Sequence, residues 1–268
     1  MLFACGQAAT RQISDSLDVT VSILPQRYFV ERIGGDLVDV NVMVLPGESP
    51  AAYEPKPDQL RALSTADLYI SIGVPFENAW LDRIASANAG MTVVDGAQQI
   101  SRMGGPETPD PHIWLSPSLV RVQARTISEA LSSADPAHAE AYETNLEVFL
   151  RDIDLLDAEI HRTLDGVEKR RFMVFHPSWG YFARDYGLEM IPIEIGGQEP
   201  SAAELAELVS RAREEEIKII FAQPEFSTRT AETIADEIGG QVLLISPLDE
   251  DWMGNLRRVA RAFAEHLG

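Results

Sequence analysis

Two of the five histidines in this chain stand in settings suited to holding a metal ion. His112 lies in Asp110-Pro111-His112-Ile113-Trp114, and His176 lies in Phe175-His176-Pro177-Ser178-Trp179. Each has a proline beside it and a tryptophan two or three residues on, neighbours that stiffen and dehydrate a loop. Neutral imidazole suits zinc and similar ions. A lone histidine at a strand end is more often structural than a ligand, but two that face one cleft read as ligands as readily as they read as structure. His138, His161 and His266 fall in helical patterns with polar neighbours and read as solvated. Glu194, Glu199, Glu225 and Asp249 follow strand-like runs and offer further donors. Chance alone, however, would put some of 42 acids beside any cleft. Ser201 and Glu204 fit a capping box that opens a helix just after Glu199.

The elements that must position these residues alternate. Extended, β-rich runs occur at 18–24, 38–45, 68–73, 91–95, 172–176, 189–193, 217–222 and 241–245, with helical patterns such as 57–65, 201–215, 228–238 and 251–266 between them. Strands alternating with helices predict a parallel α/β architecture. In open α/β sheets, ligands bind beyond the C-terminal ends of the strands, where the loops named above lie. The strands form two groups of four, separated by a strand-free stretch from 117 to 164. Within it Asp135-Pro136 marks a helix start, and Tyr142, Leu146, Phe149, Leu150, Ile153, Leu156, Ile160 and Leu164 recur at three- and four-residue spacing. This amphipathic face predicts one helix over 136–164, about 43 Å long at 1.5 Å per residue. The fold class expected is α/β, with two lobes, each a four-stranded mainly parallel sheet, joined by one long connector helix. The boundaries expected are a tether over 1–16, an N-terminal lobe over 17–116, connector helices over 117–166 and a C-terminal lobe over 167–268.

Composition narrows the function. The 268 residues carry 22 Lys+Arg against 42 Asp+Glu, a formal charge of −20. Such a surface repels nucleic-acid phosphates. The single cysteine excludes an internal disulfide and any four-thiolate metal site. No apolar run is long enough to span a membrane. No His-Glu-x-x-His, Gly-rich phosphate loop or Gly-x-Ser-x-Gly elbow occurs, which argues against an enzyme. Leu2-Phe3-Ala4-Cys5, followed by small and polar residues, is similar to a bacterial lipobox and makes Cys5 a candidate lipid anchor at a membrane surface outside the cytoplasm.

Four ordered motifs carry a wider resemblance. They are Gly47-x-Ser49-Pro50-x-x-Tyr53-Glu54-Pro55-x-Pro57, Asp110 through Pro117, Phe175 through Phe182, and Ser246-Pro247-Leu248 followed by Asp251-Trp252. Together they resemble the ligand loops of the substrate-binding lipoproteins of bacterial zinc and manganese ABC importers. The resemblance covers nearly the whole chain. It implies two α/β lobes on one long helix, a monomer, a divalent metal (zinc ahead of manganese) bound between the lobes, and a membrane permease that accepts it. His112 and His176 carry over as ligands.

Two positions depart from the family pattern. Ala51 stands where the first loop usually has histidine, and Ser246 where the fourth usually has aspartate. The histidine-rich loop of many zinc members is also missing, since 101–109 contains no histidine. Glu199, Gln223, Glu225 and Ser246 are the candidate substitutes. Weaker metal binding, or a different ligand altogether, stays open. A binding or adhesin protein on the same fold with an altered metal site is the rival function.

Overall fold

The computed structural model describes residues 16–105 and 108–267, so Cys5 and the proposed lipobox lie outside the described residues. The first sheet is built from β1 (Leu17–Val21), β2 (Val38–Val42), β3 (Leu68–Ser71) and β4 (Thr92–Asp95), in the order β2-β1-β3-β4. The second repeats that topology with β5 (Arg171–Val174), β6 (Glu189–Pro192), β7 (Ile219–Ala222) and β8 (Gln241–Leu244), in the order β6-β5-β7-β8. Every strand pair is parallel. Burial follows this order. The inner strands β3 and β7 are buried throughout, whereas the edge strands β2, β4, β6 and β8 are partly exposed. Strands enclosed on both faces read as continuous apolar runs, as Ile219-Ile220-Phe221 does.

The first extended run stops at Val21 and not at residue 24. Leu24-Pro25 opens α1 (Leu24–Gly34), because proline at the first helical turn sacrifices an N–H that has no intrahelical partner anyway. The first lobe also holds α2 (Pro57–Leu63) and α3 (Pro75–Ala87). The second holds α6 (Gly180–Asp185), α7 (Ala202–Glu214), α8 (Arg229–Ile238) and α9 (Trp252–Leu267). The expected capping box is present at the start of α7.

Between the lobes run α4 (Pro117–Ala134) and α5 (Ala139–Leu164), the latter 26 residues and so about 39 Å long. All eight residues of the sequence-predicted apolar face are buried. The long helix begins three residues later than its pattern suggested, since Pro136–His138 forms a 3-10 turn. The Asp135 carboxylate accepts from Tyr142 Oη at 2.9 Å and pairs with His138 Nδ1. Helix α5 packs on α1 of the first lobe and on α9 of the second. Polar ties repeat that division: Asp152 pairs with Arg32 of α1 at 2.5 Å, and Glu159 pairs with Arg257 of α9 at 2.7 Å.

One apolar core runs through both sheets and the helices between them. Trp252, from the second lobe, meets Phe29 of the first edge-on at 5.1 Å. A smaller cluster covers the far face of the second sheet, where Met173 points while Phe172 and Val174 point to the main core, as the two-residue period of a strand dictates. Among the described residues no helix is long and apolar enough to cross a membrane.

A continuous core predicts one cooperative unfolding step. Denaturant titrations followed by far-UV circular dichroism and by tryptophan fluorescence will coincide, and Trp252→Ala will lower stability by about 3–5 kcal/mol. Two separated transitions would show instead that the lobes unfold independently.

Candidate metal centre

His112 stands at the junction of the first lobe and α4. Asp110 Oδ1 accepts from the His112 backbone N–H at 3.0 Å and lies 2.7 Å from the ring Nδ1. This is an Asx turn whose carboxylate also orients the imidazole. Immediately after it, Ile113, Trp114 and Leu115 are fully buried and anchor the turn. Trp114 Nε1 donates to the Pro247 carbonyl at 2.7 Å, and Trp252 Nε1 donates to the Trp114 carbonyl at 2.6 Å. Tyr181 reinforces the junction from the second lobe, donating to the Asp110 carbonyl at 2.9 Å and accepting from Met103 N–H at 2.8 Å.

His176 follows the central strand β5, and strand register explains its surroundings. Val174 pairs with Pro192 on one side and Phe221 on the other, so two residues further His176 stands level with Glu194 and Gln223. Glu194 Oε2 lies 2.5 Å from His176 Nδ1. Gln223, fully buried, accepts from His176 N–H at 3.1 Å and donates to the His176 carbonyl at 2.7 Å and to Ser178 Oγ at 3.1 Å. Phe226 stacks on the imidazole at 4.8 Å.

The two imidazoles meet across the junction with ring centroids 5.2 Å apart and planes 69° apart. Each Nδ1 is held by a carboxylate, which leaves each Nε2 as the ring nitrogen free to ligate. Metal-binding histidines characteristically donate their second nitrogen to such a partner. Burial pushes His112 below the ordinary imidazole range, and nearby His176 adds to that shift against the opposing pull of Asp110. Its neutral, ligating form is thereby favoured at neutral pH.

Both rings line a cavity of about 140 Å³, well above the roughly 10–15 Å³ that one water needs. Ala51 and Glu225 line it too. Among the described residues no trio of His, Cys, Asp or Glu is already gathered as a metal site. The four candidate substitutes separate clearly. Glu225 reaches the cavity, where its Oε1 accepts from Ser246 Oγ at 2.8 Å and its Oε2 is buried with no hydrogen-bond partner among the described residues. A buried acceptor left unpaired costs about 1–3 kcal/mol, more when charged. Ser246 thus serves Glu225, while its Oγ also accepts from Leu248 N–H at 3.1 Å. Gln223 has both ends of its amide engaged with the protein. Glu199 is exposed, accepts from Thr230 Oγ1 at 3.2 Å, and does not line the cavity. Asp249 pairs with Arg258 at 2.7 Å.

The corresponding strand ends of the first lobe are closed by a residue that sequence reading did not single out. Glu77, buried at 4% exposure, accepts from the N–H groups of Ile72 at 3.0 Å and Gly73 at 2.7 Å, and from Ser22 Oγ. Burial pushes its carboxyl upward. It holds the turn after β3.

The family described as "ZnuA: Zinc-uptake complex component A periplasmic" matches residues 19–266. The high-affinity zinc uptake system protein ZnuA of Bacillus subtilis is 30% identical over 271 residues, covering 93% of this chain and 85% of that protein. A crystal structure of ZnuA superposes with TM-score 0.92 at 49% identity, covering 95% of this chain and all of that one, and a zinc-bound 138-173 deletion mutant of ZnuA gives 0.91 at the same identity, covering 95% and 99%. The laminin-binding protein Lmb of Streptococcus agalactiae, described as a bifunctional adhesin and metal transporter, has TM-score 0.86 at 25% identity, covering 94% of this chain and 100% of that one. The chain belongs to the ZnuA family of metal-binding periplasmic solute-binding proteins.

Asp110→Asn or Glu194→Gln, each leaving the ring in place but replacing its carboxylate partner, will weaken zinc affinity by about 10–100-fold. Competition with a chromophoric chelator measures this, and unchanged affinity in both variants would remove the carboxylates from the site.

Proposed function

We propose that this chain is the extracytoplasmic solute-binding component of an ABC importer. It captures a divalent transition metal, zinc ahead of manganese, in the cleft between its two lobes and delivers it to a membrane permease. The observation that carries the reading is the paired imidazoles of His112 and His176, 5.2 Å apart, each with Nδ1 on a carboxylate. Membership of a zinc-uptake family and similarity to a zinc-bound ZnuA structure favour zinc as the cargo. Cys5 is the proposed lipid anchor that keeps the protein at the membrane surface, and the chain works as a monomer.

The two ligands come from opposite sides of the junction, so metal occupancy and lobe orientation are linked: an ion that binds one arrangement better shifts the population toward it. The ties of α5 to both lobes keep that shift small. The permease distinguishes loaded from empty protein by that difference. Apart from Ser49, His112, His176 and Glu225 the cavity walls are apolar, which suits capture of an ion better than catalysis. The adhesin reading draws only on Lmb, whose description pairs adhesion with metal transport. The supported imidazole pair favours transport for this chain.

Isothermal titration of desalted protein will show saturable zinc binding that His112→Ala/His176→Ala abolishes, with elemental analysis of the purified proteins agreeing. Ligation requires neutral imidazole, and the fold holds His112 below its usual value. Affinity will therefore stay level from pH 8 to about 6.5 and fall below that as protons compete. Equal affinity at pH 7 and pH 5 would count against histidine ligation.

A further inference from the structure

Two imidazoles are too few for a zinc site, which takes three or four protein donors. At the position where a third imidazole would stand, Ala51 puts only a methyl group on the cavity wall. Glu225 borders the same cavity by way of the loop after β7, next to the β5 loop that carries His176. Its carboxylate is half-served. Ser246 Oγ donates to Oε1 at 2.8 Å, while Oε2 is buried without a partner among the described residues. Among the described residues no lysine or arginine lines the cavity, so no such charge there neutralises the group. Glu225, with one buried carboxylate oxygen unpartnered among the described residues, thus lines the same cavity as two imidazoles whose Nε2 atoms are free to ligate.

We propose that Glu225 is the third protein ligand of the captured ion, supplying the donor that position 51 lacks, and that Ser246 is its positioning residue. This rests on the capture reading above. Among the described residues no trio is gathered, so the carboxylate joins when the ion enters. Ser246 holds Oε1, leaving Oε2 to ligate. The resulting set has two imidazole nitrogens and one carboxylate oxygen, with a fourth position open to water, a donor count that zinc accepts. Oxygen in place of a third nitrogen makes the set harder, and carboxylate donors suit manganese. The site therefore discriminates less strongly between zinc and manganese than a three-imidazole cleft would.

The test is isothermal titration with zinc and with manganese, backed by chelator competition, on wild type and five variants. Glu225→Gln, which keeps the shape and the Ser246 contact, will weaken zinc binding by about 100-fold or more, beyond the ~10-fold expected for an outer partner. Ser246→Ala will weaken it by about 10-fold, and Ser246→Thr, which keeps the hydroxyl, will restore it. Adding Ala51→His to Glu225→Gln will recover zinc affinity while leaving manganese weak. Zinc affinity unchanged in Glu225→Gln, with binding still lost in His112→Ala/His176→Ala, would overturn this inference and leave the capture reading standing. Absence of saturable binding by the wild type would overturn both. Thermal melting of the apo proteins confirms folding, and Glu225→Ala replaces any variant that fails it.

Discussion

A site divided between two lobes is only as well defined as the joint between them. Here the joint is a chain of indole hydrogen bonds: Trp252 donates to the Trp114 carbonyl, and Trp114 donates to the Pro247 carbonyl. Both rings are buried, so each N–H would be costly to leave without a partner. Trp114 lies two residues after His112, and Pro247 adjoins Ser246, which holds Glu225. The same contacts that join the lobes therefore place the histidine of one side against the cavity wall of the other. The aromatic cluster of Phe29, Phe149 and Trp252 backs this joint, and α5 splints it along its length.

Much of this was legible in the sequence, because it is written in local periodicity. All eight extended runs overlap strands, and the eight-residue apolar stripe of α5 is the face it buries. The grouping of strands into two sets of four followed from the length of the strand-free stretch. Strand ends and helix starts shifted by a few residues wherever a proline or a 3-10 turn governed them, as at Leu24-Pro25 and Pro136.

The site was only half legible, for a physical reason. Loop position shows which residues follow a strand but not which neighbour each will meet. Gln223 read as a donor, yet register sets it level with His176, where both ends of its amide are taken. Glu194 was one carboxylate among several until the β5–β6 pairing set it beside the same ring. Glu199, only five residues further, turns outward to Thr230. Asp110 was the one partner open to local reasoning, since an aspartate two residues before a histidine can close an Asx turn. The family pattern drew attention to Ala51 and Ser246 as losses. The structure recasts Ser246 as the residue that holds Glu225, which pattern matching alone could not supply.

The excess of acids reads differently in three dimensions as well. Many are tied into surface pairs, such as Glu189 and Glu215 around Arg171. The carboxylates that matter at the cleft are few, and two of them, Asp110 and Glu194, act by orienting imidazoles. The ion is proposed to sit between His112 and His176 on their Nε2 atoms. Anomalous diffraction at the zinc edge, from crystals of the zinc-loaded protein, tests it most directly. One strong peak is expected in the cleft, about 2.0–2.1 Å from Nε2 of both histidines. A peak held only by surface carboxylates, or an empty cleft in crystals that contain zinc, would contradict it.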